Sequence, residues 1–282
     1  MKSKVFVSSA CGVEDTSSQT LGILFDELAF SNVEVYKDVT EMDFESFIDR
    51  IKLDENAKPQ IRLCNKDTVE KYLQEALDDN IDNFLFLIPE NHMAHFEPII
   101  SNYLEGKKVT YKIYIVKSES YPVFYMAQES ISMFKKGHTM EEVLEMLEFT
   151  DTNNAIYLYS PLKEQLSTIE RYTYLEELYN ITDDGSYFYT IKSNNVISNR
   201  LKPKQKTIEP FIEKYKEEIK DKEVLPFIVC ANKDSKYVDL FKKVLISLFP
   251  KMKKPKMIVV SPSFVLKYGI NCCGFGYILK NK

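Results

Sequence analysis

Short runs of β-branched and aromatic residues alternate with helical patterns along almost the whole chain, and this rhythm restricts the fold more than any other feature. It is the signature of an α/β protein, in which helices cover the faces of a sheet. Strands are predicted at 4–7, 33–36, 84–88, 111–116, 156–159, 187–191, 226–231, 257–260 and 275–279. Helices are predicted at 17–30, 43–51, 67–77, 94–104, 122–136, 140–147, 162–179, 207–219 and 235–248. In the third of these, Val69, Leu73 and Leu77 recur every four residues and form one apolar face, with Asp67 or Thr68 as the cap. Gly137 is placed to stop the helix before it.

The chain has 282 residues, 44% apolar and 28% charged, which suits a soluble globular protein with a real core. A turn-rich stretch at 149–154 follows several β–α units and precedes aromatic-rich strands, a polar hairpin at 193–195 and two lysine-rich helices. Two domains are therefore expected, 1–150 and 151–282, each a β-sheet flanked by helices. The longest apolar runs, 84–88 and 224–230, fall far short of the roughly 20 residues that span a bilayer. The apolar stretch after Lys2 and Lys4 is too short for a signal peptide, and Cys11 lacks the apolar region of a lipoprotein signal. The chain reads as cytoplasmic.

Charge is unevenly spread. Residues 1–191 carry 17 Lys+Arg against 34 Asp+Glu, and residues 192–282 carry 20 against 8. The basic part includes Arg200, Lys202, Lys204, Lys206, Lys251, Lys253, Lys254 and Lys256. Such a surface suits transient contact with an anionic membrane or an acidic partner; solvated lysines on helix faces are the plainer reading. No nucleic-acid-binding motif accompanies the charge.

No motif points to catalysis. His92 and His95, three apart, would share one side of a helix start and could ligate a metal, but no third ligand has the spacing unless Glu90 or Glu97 serves. There is no phosphate loop, dinucleotide-binding glycine pattern or nucleophile elbow, so no cofactor is implied. The five cysteines are unpaired in pattern and read as reduced and buried. Only eight glycines occur, and three of them, Gly269, Gly274 and Gly276, cluster behind the apolar run 257–260, where a constrained loop is expected.

Taken in order, these segments resemble the DegV family, bacterial two-domain α/β proteins that bind fatty acids. The family's opening strand and Asp-Ser correspond to Val7-Ser8-Ser9, and its Tyr-x-Asp to Tyr36-Lys37-Asp38. Its Thr-Ser-Gln-Pro-Ser loop corresponds to Ile61-Arg62-Leu63-Cys64-Asn65, and its Ser-Gly-Thr to the segment His92-Met93-Ala94-His95. The next strand ends at Lys117-Ser118, and a turn at Gly137-His138-Thr139 is much like the family's. In the second half, the family's Gly-Gly-Arg-Ile is similar to the stretch ending Arg171-Tyr172, and its His-x-Gly-Pro-Gly to Lys267-Tyr268-Gly269-Ile270-Asn271.

The resemblance implies a DegV-like fold with an apolar tunnel between the two domains, non-catalytic binding of a long-chain fatty acid or related lipid, and presentation of it to a separate fatty acid kinase. The lipid-binding residues it implies are Ile61, Arg62, Met93, Ser118, Lys267, Tyr268 and Gly269, with Arg171 and Lys204 docking the partner. The polar chemistry is altered: the Thr position is Ile61, the Ser position Met93 and the His position Lys267. A sixteen-carbon chain gains on the order of 12 kcal/mol gross on burial, against about 1 kcal/mol for each lost neutral hydrogen bond. Lipid binding therefore survives these changes, while head-group selection is open to change. Lys267 and Arg62 are the two candidate carboxylate anchors. Two other readings stand beside this one: a neutral-lipid binder, favoured by Ile61 and Met93, and an interaction or regulatory protein whose pocket is filled by its own Met93 and Phe264.

Overall fold

The computed structural model describes residues 2–9, 18–31, 33–53, 59–161, 186–193, 195–201, 209–250, 254–269 and 271–280. It divides into two compact units: Met1–Asp43 with Pro59–Thr152, and Phe44–Lys58 with Asn153–Lys282. Residues 44–58, which the sequence division places in the first half, thus group with the second unit.

The first unit is built on a parallel sheet in the order β2-β1-β6-β7, formed by β1 (Ser3–Ser8), β2 (Leu21–Leu24), β6 (Asn83–Pro89) and β7 (Thr110–Val116). Strand side chains alternate between faces, and both faces here are apolar. Val5, Val7, Leu85 and Leu87 pack with α4 (Tyr121–Lys135) and α5 (Met140–Thr152). Phe6, Phe84, Phe86 and Ile88 pack with α2 (Lys66–Asp78) and α3 (Met93–Leu104). Phe6 stacks on Phe86 at 5.3 Å, and its ring occupies the space that a Cβ on Gly22 would need. Each such fully buried aromatic contributes roughly 1.5–3 kcal/mol. A small antiparallel sheet, β4-β3-β5, adjoins, made of β3 (Glu27–Ala29), β4 (Val35–Lys37) and β5 (Gln60–Arg62).

The second unit carries a six-stranded sheet in the order β10-β9-β8-β13-β11-β12, antiparallel except for the β11–β12 pair. Its strands are β8 (Asn154–Pro161), β9 (Ser186–Lys192), β10 (Asn195–Leu201), β11 (Val224–Cys230), β12 (Lys256–Val259) and β13 (Cys273–Leu279). Tyr157, Phe188, Ile228 and Phe275 pack with α6 (Glu209–Ile219) and α7 (Lys236–Leu248). The short α8 (Pro262–Tyr268) reaches β9 through the Tyr189–Tyr268 ring contact at 5.4 Å. The remaining helix of this unit, α1, spans Phe44–Leu53.

Several predicted elements differ. Of the helix predicted at 17–30, the described residues 18–30 are not helical but contain the strands β2 and β3. Its apolar run fits a helical spacing as well as a buried strand, and the parallel pairing of Leu21–Leu24 with β1 decides for the strand. The α2 cap is Asn65, whose Oδ1 accepts the Thr68 N–H at 2.9 Å, rather than Asp67 or Thr68. Helix α5 runs on to Thr152, through the stretch read as a turn. The strand predicted at 33–36 forms at Val35–Lys37, leaving Val33 94% exposed. In the glycine-rich tail only Gly269 ends a helix; Gly274 and Gly276 lie inside β13, where a Cβ would fall 2.1 Å from the Tyr157 carbonyl oxygen and 2.5 Å from that of Ala155. These glycines let two backbones close up. The predicted helix at 162–179 lies outside the described residues.

Candidate functional site

In an open parallel sheet, a ligand crevice forms at the carboxyl ends of the strands where the strand order reverses. The order β2-β1-β6-β7 puts that point between β1 and β6. At the ends of these strands lie Ser8 and Ser9 on one side and His92, Met93 and His95 on the other.

Around this end the first unit buries an unusual set of polar groups. Ser8, Ser9, Asp26 and Asp38 are all fully buried, with Cys64 beside them. Five chain segments, at Ser9, Asp26, Asp38, Cys64 and His95, meet through specific hydrogen bonds. The Asp26 N–H donates to Ser9 Oγ at 2.8 Å, and the Asp38 N–H to the Asp26 carbonyl at 2.8 Å. The Cys64 N–H donates to Asp26 Oδ1 at 3.2 Å, and His95 Nε2 donates to the Cys64 carbonyl at 2.9 Å. Three of these segments, at Ser9, Cys64 and His95, are ones that resemble the family's motifs, and they are tied, with the Tyr36-Lys37-Asp38 segment, around Asp26.

Asp26 sits at the centre. Its Oδ2 is buried with no hydrogen-bond partner among the described residues. Burial first, then the neighbouring Asp38, push its carboxyl well above the usual carboxylate range, and the Cys64 N–H only partly opposes them. Burial, followed by the Asp26 charge, pushes the Cys64 thiol up to about 12, so it stays protonated. His95 is held to the Cys64 carbonyl and packs edge-on against Phe96 at 4.9 Å. Among the described residues no group of three or more His, Cys, Asp or Glu is arranged to hold a metal.

The predicted site residues fall as follows. Ile61 and Arg62 lie on β5, in register with Leu28 and Glu27 of β3. That places them just before Cys64, and therefore beside Asp26. Met93 opens α3 and packs against the apolar cluster of α2, α3 and β6. Ser118 is buried, and its hydroxyl donates to the Asp151 carbonyl at 3.2 Å, while the Lys117 N–H donates to Asp151 Oδ2 at 2.9 Å. The loop after β7 is thereby tied to the end of α5. Burial raises the Asp151 carboxyl, against these hydrogen bonds.

In the second unit, Ser261 caps α8 by accepting the Phe264 N–H at 3.3 Å. Lys267 is partly exposed, with Nζ 5.1 Å from the centre of the Tyr268 ring. Tyr268 is fully buried against Phe264, and its carbonyl accepts the Ser160 hydroxyl at 2.7 Å. Gly269 holds φ at +107°, a conformation that favours glycine, and its N–H donates to the Val265 carbonyl at 2.7 Å, closing the helix. Arg171 and Lys204 lie outside the described residues.

Sequence reasoning missed Asp26 and Ser120. Asp26 was hidden inside a predicted helix, although an acid within the apolar run from Leu21 to Leu28 is itself a flag for a buried polar group. Ser120 precedes α4 at φ +55°, fully buried, and its hydroxyl neither caps the helix nor finds another partner among the described residues. Nothing in its sequence neighbourhood marks it.

No protein-family model matches the chain, and no curated protein matches it. Solved structures do. A fatty-acid-binding DegV family protein from Thermus thermophilus matches at a TM-score of 0.82 and 13% identity, over 99% of this chain and 100% of the other. A fatty acid binding DegV family protein from Streptococcus agalactiae matches at 0.82 and 11% identity, over 100% of both chains. The fatty acid kinase B3 protein of Streptococcus pneumoniae, loaded with linoleic acid, matches at 0.75 and 12% identity, over 99% of this chain and 100% of the other. From end to end, at low identity, the chain has the α/β fold of the DegV family proteins.

Proposed function

We propose that this protein binds a long-chain fatty acid or a closely related lipid without transforming it, with the head group at the carboxyl end of the parallel sheet. The observation that carries this reading is the end-to-end match in fold to proteins described as fatty acid binding. The hydrogen-bonded meeting of Ser9, Asp26, Cys64 and His95 at the point where the strand order reverses adds a polar place for the head group. Delivery of the lipid to a separate kinase follows from the likeness to the fatty acid kinase B3 protein; on this reading Arg171 and Lys204 dock that partner.

The test is native mass spectrometry, with solvent extraction, of the protein purified from a bacterial host. A long-chain acid or neutral lipid is expected to copurify in about one-to-one ratio. Reproducibly empty protein that also takes up no added lipid would overturn the proposal. That outcome would favour the self-filled alternative, for which Phe264, fully buried 4.7 Å from Tyr268, is the specific support.

A further inference from the structure

We propose that Asp26 makes this a site for an uncharged lipid head group: Asp26 Oδ2 donates a hydrogen bond to an acceptor oxygen of a protonated fatty acid or a long-chain alcohol. The proposal rests on the lipid-binding reading above and names the form of the head group.

The geometry leaves Asp26 one free oxygen. Oδ1 is taken by the Cys64 N–H at 3.2 Å, while Oδ2 is buried without a partner among the described residues. A buried polar group in this condition is costly, and such groups call for a ligand or water that completes them. Asp26 lies beside the very segment, Ile61 to Asn65, that the head-group motif occupies, and within it Ile61 offers no side-chain donor. Across the crevice Met93 offers none either.

The surroundings decide the charge of the partner. The charged and titratable groups on the adjoining elements are Glu27 on β3, Lys37 and Asp38 at the end of β4, Arg62 on β5, Cys64 before α2, and His95 on α3. Arg62 is exposed and stands across from Glu27. His95 spends its Nε2 proton on the Cys64 carbonyl. The charges that act on Asp26 itself are those of Asp38 and Glu27, both negative. Among the described residues the charges that act on Asp26 are both carboxylates, so an anionic head group at Oδ2 would be repelled there, whereas a neutral acceptor oxygen meets a donor.

Affinities of delipidated protein for dodecanoic acid and dodecanol, measured from about pH 5 to about pH 9, test this. Dodecanol affinity is expected to fall only where Asp26 itself loses its proton, while dodecanoic acid affinity falls about tenfold per pH unit as soon as the free acid has ionised. Asp26→Leu, which removes the donor, should weaken dodecanol binding about tenfold; Asp26→Asn, of the same shape and still a donor, should restore it. Dodecanoic acid binding that is level with pH, or dodecanol binding equal in wild type, Asp26→Leu and Asp26→Asn, would overturn the proposal and leave lipid binding standing. If folded wild-type protein binds neither ligand at any pH, the lipid-binding reading itself falls, and this proposal with it.

Discussion

A carboxyl group buried in the first unit and one half-buried in the second are treated in opposite ways. In the second unit Glu218 accepts from Lys192 Nζ at 2.6 Å and from the Tyr277 hydroxyl at 2.9 Å. Burial works against its charge, but these hydrogen bonds outweigh it and hold the carboxyl below the usual range. In the first unit Asp26 has one backbone donor and Asp38 for a neighbour, and it is held well above that range. Glu218 lies beside an aromatic core of Tyr157, Tyr215, Phe275 and Tyr277, and matches its own charge within the fold. Asp26 lies at the end of a parallel sheet and is left incomplete. A fold tolerates such a cost where something outside the chain completes the group.

The largest expected effect tests how closely the second unit is packed. Gly274→Val would drive a side chain into the Tyr157 carbonyl, 2.1 Å from the ideal Cβ position, and only movement of a backbone could relieve it. A loss of about 3 kcal/mol or more is expected in urea denaturation. A loss below about 1 kcal/mol would mean that β8 and β13 can separate at little cost.

A smaller effect separates the two carboxyls by pH. Asp26 has a raised folded-state pKa, so as pH climbs past the unfolded carboxylate range the unfolded chain releases a proton that the folded chain keeps, and stability falls. Asp26→Asn removes this penalty. Its melting temperature should match wild type near pH 4 and exceed it at pH 8, by about 2–4 °C for each kcal/mol recovered. Glu218 has the opposite sign: its contribution is present above the unfolded carboxylate pKa and is lost as pH falls through its lowered folded value. An Asp26→Asn variant less stable than wild type at pH 8 would show that the ionised carboxylate is held by a partner, and would break the contrast.

The smallest effect is expected at Lys267. Its ammonium lies 5.1 Å from the Tyr268 ring centre at a partly exposed position, a contact worth about 0.5–1 kcal/mol. Lys267→Met should change dodecanoic acid affinity by no more than about threefold, measured by displacement of a fluorescent fatty acid. A tenfold loss would instead make Lys267 the carboxylate anchor and move the head-group contact into the second unit.

Strand and helix alternation, the apolar face of α2, and the order of degenerate motifs were all legible in the sequence, because each depends on local periodicity and turn chemistry. That information was enough for the α/β class and for the likeness to the DegV family at Ser9, Cys64, His95 and Gly269. Residues 21–29 were not legible. Their apolar spacing suits helix and strand equally, and only pairing with β1 and β5, which lie some 16 residues before and 32 after in the chain, chose the strand. Asp26 was lost with that segment. Its charge state depends on being enclosed by groups from β3, β4, α3 and the turn before α2, and no local pattern encodes that enclosure. The sequence by itself therefore determined the kind of fold and the places where its motifs had changed. Which polar group is buried at the carboxyl end of the sheet, and with what charge, was decided by tertiary structure alone, since burial and long-range contact, not residue type, set the protonation of a carboxyl group.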